Sequence, residues 1–129
     1  MLRTYNFELT TYNVRMPFNA NTSKLKRVRK QRRALLKSLA AHLVLHKKIK
    51  TTVTKAKAVR PFVERLVTMA RVDTVTSRRY AMRYLPKEAV SALHQVAQEY
   101  KNRPGGYTRI IRTAPRRRDN TPMAFIEFV

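Results

Sequence analysis

Between residues 24 and 60 the chain carries fourteen lysines and arginines and not one acidic residue. A compact fold built on such a block repels itself unless its cations stay at the solvent side and a polyanion neutralises them. The rest of the chain does not restore the balance: 29 Lys and Arg stand against 7 Asp and Glu, for a formal charge of +22 over 129 residues. At 43% hydrophobic residues the chain is nonetheless too apolar for a disordered polycation. Its length suits one domain with a single modest core. Nucleic acid is the leading polyanion, with an anionic membrane a distant second. No apolar run approaches the roughly 18 residues a bilayer span needs, and the longest is broken by His42 and His46. With no cysteine there is no disulfide framework, thiolate zinc site or cysteine nucleophile. The first fifteen residues lack the apolar core of a secretory signal and make a poor transit peptide.

Residues 1–23, nearly uncharged and rich in Asn and Thr, read as an irregular N-terminal arm leading into the basic stretch, and residues 24–129 as one domain. From about Gln31 the spacing of Leu36, Leu39, Ala40, Leu43 and Val44 predicts a helix with Arg33 and Lys37 outward. Ile49 to Val53 alternates as a short strand, and Thr54 offers a cap. Residues 55–71 carry the cleanest helical stripe, Val59, Phe62, Val63, Leu66, Val67 and Ala70, flawed by Pro61, which predicts a kink near Lys57 or a helix regular only after the proline. Thr76 or Ser77 caps a short helix to Leu85. Pro86 opens another at its first position, running to about Tyr100 with Val90, Leu93, Ala97 and Tyr100 inward. Two β-rich runs, residues 107–113 and 123–129, flank a turn-rich basic segment and read as an antiparallel hairpin. The expected class is α+β: a single two-layer domain of order α-β-α-α-α-β-β, its small mixed sheet covered by helices.

Gly105 and Gly106, in the stretch Asn102-Arg103-Pro104-Gly105-Gly106-Tyr107-Thr108-Arg109, invite comparison with a phosphate-binding loop. The polarity is wrong, since they follow a helix and precede a strand, and neither a Walker pattern nor a dinucleotide fingerprint is present. They are expected to end the helix through a positive-φ residue and turn the chain into the hairpin. His42 and His46 stand at metal-ligand spacing, but Leu43 occupies the position a zincin fills with glutamate and no third ligand is near, so no metal is expected. The seven acids pair at no spacing that suits acid–base work, which argues against an enzyme, a cofactor or a small-molecule substrate.

Phosphate contact remains. The candidate RNA-binding residues are Lys24, Lys26, Arg27, Arg29, Lys30, Arg32, Arg33, Lys37, Lys47, Lys48, Lys50, Lys55, Lys57 and Arg60 in the acid-free block, with Arg78 and Arg79 beyond it. A second group, Arg109, Arg112, Arg116, Arg117 and Arg118, belongs to the hairpin, where a guanidinium can hold phosphate through two parallel hydrogen bonds. Tyr107 is placed with them as a base-stacking candidate, packing on the sheet being the alternative. No helix-turn-helix, zinc-finger or RNP motif offers sequence readout. Basic residues on several elements point to a protein gripping the shape and phosphates of folded RNA. A free nucleoid protein that compacts DNA is the alternative.

Ile49-Lys50-Thr51-Thr52, Lys55-Ala56-Lys57, Val59-Arg60-Pro61, Gly105-Gly106-Tyr107-Thr108-Arg109-Ile110, Asp119-Asn120, Pro122-Met123-Ala124 and the ending Ile126-Glu127-Phe128-Val129 together resemble bacterial-type large-subunit ribosomal protein L seventeen. The resemblance runs from about Leu25 to Val129. It implies a non-enzymatic component of the large subunit, bound to 23S-type rRNA near the peptide exit tunnel and beside proteins of the L twenty-two and L thirty-two type. The wording of the hairpin implies an organellar ribosome, plastid before mitochondrion, or else a bacterial one. Against the family pattern, residues 1–15 read as an extension before Met16, and Pro17 to Thr22 lack the family's basic opening. Arg118 replaces the usual glycine of the hairpin turn, which passes the positive-φ duty to Asp119 or Asn120.

Overall fold

The computed structural model describes residues 24–129, so the arm expected over residues 1–23 lies outside the described part. Its elements follow the order α1 (Arg29–His46), β1 (Lys48–Thr52), α2 (Val53–Ala70), α3 (Val75–Met82), α4 (Lys87–Glu99), β2 (Thr108–Thr113) and β3 (Met123–Phe128).

Helix α1 begins two residues before the expected Gln31, because Val28 is already extended and accepts the first helical bond from the Arg32 amide at 3.0 Å. Leu36, Ala40, Leu43 and Val44 are buried along one stripe, so burial on that face drives the helix against its self-repelling outer face. It ends without glycine. Lys47 itself takes the left-handed conformation at φ 60°, at a cost of about 1 kcal/mol for a residue with a Cβ. Its carbonyl accepts from the Phe128 amide at 3.2 Å. That sharp stop leads straight into β1, one residue earlier than the alternation suggested.

Thr52, rather than Thr54, caps α2: its hydroxyl accepts from the Lys55 amide at 3.4 Å, so Val53 joins the helix instead of the strand. The helix is not confined to the residues after Pro61, since α2 is one helix from Val53 to Ala70 with the proline inside it. The ring sits on the exposed side, while Ala56, Val59, Val63, Leu66, Val67 and Ala70 are buried on the other. A helix so anchored tolerates one absent N–H. Thr74 and Ser77 form a reciprocal capping box on α3 at 3.1 and 3.2 Å, earlier than expected, and α3 stops at Met82. Pro86 sits just outside α4 as its cap residue. Val90, Leu93, Ala97 and Tyr100 are buried as their spacing requires.

The sheet has the order β1-β3-β2 and is antiparallel throughout, which corrects the expected mixed sheet. The last strand inserts between the other two and runs against both. Helix α2 lies on all three strands, and α1, α3 and α4 pack around it. Facing the helices are Ile49, Ile110, Ala124 and Ile126; the alternation of strand side chains sends Lys48, Lys50, Arg109, Ile111, Phe125 and Glu127 to the opposite face.

The glycine pair does not end α4. The helix closes at Tyr100, five residues earlier, through amide bonds from Tyr100 and Arg103 back along the chain, because a turn over Lys101 and Asn102 already satisfies its last carbonyls. Gly106, at φ 65°, makes the bend into β2 that was expected of the pair, while Gly105 needs no left-handed backbone. Beyond β2, Asn120 takes φ 53° in the hairpin turn. An asparagine tolerates that conformation better than most residues.

Candidate nucleic-acid interface

The basic block enters the domain through a turn. Leu25 and Lys26 have φ of 52° and 51°, the Arg27 amide bonds the Lys24 carbonyl at 3.1 Å, and Leu25 packs against the core. That one apolar side chain docks the start of the block on the domain. Lys24, Lys26, Arg27, Arg29, Lys30 and Arg33 are exposed, and none is paired with a carboxylate among the described residues. Arg32 is half-buried. Arg29, Lys30, Arg33, Ala34 and Lys37 line one shallow groove on α1. Lys37 is less free than its outward position suggested: its ammonium donates to the Arg83 carbonyl at 2.7 Å and lies 5.5 Å from the Tyr84 ring centre.

Elsewhere the acids have claimed part of the candidate set. Lys47 meets Glu99 at 3.4 Å, Arg60 meets Glu64 at 3.3 Å, and Arg78 holds both oxygens of Asp73 at 2.7 Å. Glu127 lies between Lys48 at 2.8 Å and Arg109 at 2.6 Å. At the hairpin tip Arg116 grips Asp119 at 2.6 and 2.9 Å, and backbone bonds from Arg116 to Thr121 and from Asn120 to Arg116 close the turn. Arg116 is thus a brace within the turn, whereas Arg117 and Arg118 are exposed and make no such pair among the described residues. Lys50, Lys57, Arg79 and Arg112 are likewise exposed, and Lys55 is half-buried beside the Thr52 cap.

Tyr107 is a correction. Its side chain is 1% exposed, packed on Tyr100 with ring centres 5.2 Å apart, and its hydroxyl donates to the Arg103 carbonyl at 3.2 Å while accepting from Thr68 and Arg71. A ring so enclosed offers no face to a base; it pins the bend that Gly106 makes. Sequence reasoning also passed over Arg71, whose guanidinium donates to the Lys101 carbonyl at 2.8 Å and ties the end of α2 to that bend. No local spacing signals a bond between residues thirty positions apart. His42 and His46 stack at 6.2 Å on the exposed side of α1, with His42 Nδ1 2.8 Å from the Ser38 carbonyl. No group of three His, Cys, Asp or Glu side chains is arranged to hold a metal among the described residues.

The ion pairs move proton affinities in a consistent direction. Hydrogen bonds from Lys48 and Arg109 hold the Glu127 carboxyl below its ordinary value, Arg116 followed by Thr121 does so more strongly for Asp119, and Arg78 does so for Asp73. Burial, with Tyr84 adding to it, pushes the Tyr80 phenol up to about 12 and keeps it neutral. Carboxyls whose folded values are depressed stabilise the fold above their unfolded values, and that contribution is lost as pH falls through the folded ones. Melting temperature is therefore expected to vary little between about pH 8 and about pH 5 and to fall steadily in more acid solution. Glu127→Gln is expected to flatten part of that acid limb; a melting temperature that rises on acidification would contradict the assignment.

Among proteins of known family, residues 35–129 match the model described as ribosomal protein L17. The chain is 48% identical over 116 residues to the large ribosomal subunit protein bL17 of Porphyromonas gingivalis, an alignment covering 88% of this chain and 72% of that protein. The family match begins beyond the seven basic residues of the 24–33 cluster.

Proposed function

The chain belongs to the ribosomal protein L17 family and is a structural protein of a bacterial-type large ribosomal subunit, and from that premise we propose that it grips folded large-subunit rRNA with the N-terminal half of α1 and the tip of the β2–β3 hairpin. One observation carries the reading: Lys24, Lys26, Arg27, Arg29, Lys30 and Arg33 form an exposed cationic surface without a carboxylate among the described residues. Unneutralised, that surface opposes folding; phosphates remove the opposition. Arg117 and Arg118 supply a second hold at the end of a hairpin that Arg116 and Asp119 stiffen. Two holds on different elements suit a fixed tertiary RNA shape better than a uniform duplex.

The same reading locates the protein near the peptide exit tunnel, with neighbours of the L twenty-two and L thirty-two type, as the family resemblance implies. Met69, Val72, Val75 and Met82 are exposed around the end of α2 and along α3, and supply apolar contact area for a protein neighbour. The chemistry is that of binding and shaping, with no catalytic step. The native protein is expected to co-sediment with large subunits and to leave them only in high salt. Recovery solely in ribosome-free fractions, or equal affinity for duplex DNA and rRNA with no saturable rRNA site, would favour a free nucleic-acid-compacting protein instead.

A further inference from the structure

We propose that the open face of the sheet is a separate RNA site, in which the Phe125 ring receives an unpaired nucleobase while Lys48 and Lys50 meet its flanking phosphates. The proposal rests on the rRNA-binding reading above and adds to it a site that carries no part of the α1 surface. The register builds it. Phe125 lies on the central strand, directly between Lys50 on β1 and Ile111 on β2, and the next row of the same face is Lys48, Glu127 and Arg109. The helices cover the other face, whereas Lys48, Lys50, Arg109 and Ile111, the last at 42% exposure, are open to solvent.

Phe125 is half-buried, with the Lys48 ammonium 4.7 Å and the Lys50 ammonium 5.8 Å from its ring centre. An aromatic ring flanked by exposed cations on an open sheet is what a splayed-out base requires: the ring stacks on the base and the ammonium groups swing to the backbone. Three strands span about 10 Å, room for one or two bases. The single acid on this face, Glu127, keeps Arg109 at 2.6 Å as its partner when Lys48 turns from it to a phosphate. Lys50 has no carboxylate partner among the described residues. An apolar protein partner would have to desolvate three cations to reach Phe125 and Ile111, which disfavours it.

Ultraviolet cross-linking of large subunits containing the full chain, followed by mass spectrometry, tests the site. A nucleotide adduct on Phe125 is expected. Adducts on α1 with none on β3 overturn this site and leave the rRNA reading intact; adducts on neither overturn both. Amine cross-links from Lys48 or Lys50 to a neighbouring protein, in place of the nucleotide adduct, assign the face to that protein and overturn the proposal. In binding to a full-length large-subunit rRNA transcript, Phe125→Leu keeps the apolar bulk and is expected to weaken affinity about fivefold or more with the salt dependence unchanged. Phe125→Tyr restores it, and Lys50→Gln lowers the salt slope by about one. Unchanged affinity in a folded Phe125→Leu protein refutes the stacking role.

Discussion

Raising monovalent salt from about 50 mM to about 200 mM is expected to weaken binding of the full chain to large-subunit rRNA by about a thousandfold or more. Each phosphate neutralised releases condensed counterion, so the logarithm of affinity falls with the logarithm of salt by about 0.9 per duplex contact and about 0.7 per single-strand contact. The six exposed cations of the turn before α1 and of its first residues, together with Arg117 and Arg118, are among the residues free to make such contacts without breaking a carboxylate pair among the described residues. Replacing Arg29, Lys30 and Arg33 together by glutamine should lower the slope by about two to three. Arg60→Gln should lower it less than any one of them, because Arg60 already faces Glu64 at 3.3 Å. Filter binding across a salt series reads both, and an affinity indifferent to salt would remove the phosphate mechanism altogether.

Leu43→Ala is expected to destabilise the fold by about 2–5 kcal/mol, a large share of the roughly 5–15 kcal/mol by which a small domain is stable. Leu43 is 0% exposed on the face of α1 that meets α2 and α4, so truncation leaves a cavity that three packed helices cannot close. Leu45, two residues on and 43% exposed, is the control: Leu45→Ala should change stability by less than about 0.5 kcal/mol. Urea unfolding checks both through a shifted midpoint at constant slope. The consequence reaches function, since α1 carries the unpaired cations on its outer face and is held in place only by its inner one. A Leu43→Ala protein that matched the parent in stability would show that the docking of α1 contributes little to the fold.

Much of this was legible in the residues. Apolar spacing in α1, α2 and α4 named the buried face of each, and the two β-runs paired as an antiparallel hairpin. The transfer of the positive-φ duty to Asp119 or Asn120 was resolved at Asn120. Element ends were less legible, because Thr52 and Thr74 outcompeted other hydroxyls as caps only once the neighbouring strand or loop had set their backbone. The sheet was misread as mixed for a related reason. Alternation says which side chains share a face, but says nothing about which strand takes the centre.

The chain's sign of charge, the acid-free run that concentrates it, the helices that carry it and the chemical class of its partner are local properties, written in composition and periodicity. Which cations remain available is only partly local, as in the pairs Arg60–Glu64 and Arg116–Asp119. Lys47 and Glu99, or Arg109 and Glu127, lie far apart in sequence and meet only because α4 packs against α1 and β3 runs beside β2. Tyr107 likewise became core rather than contact surface because Tyr100, Thr68 and Arg71 converge on it from other elements. Coulomb energy and burial depend on distance in space, so for Lys47, Lys48 and Arg109 the choice of a carboxylate partner was made by tertiary structure.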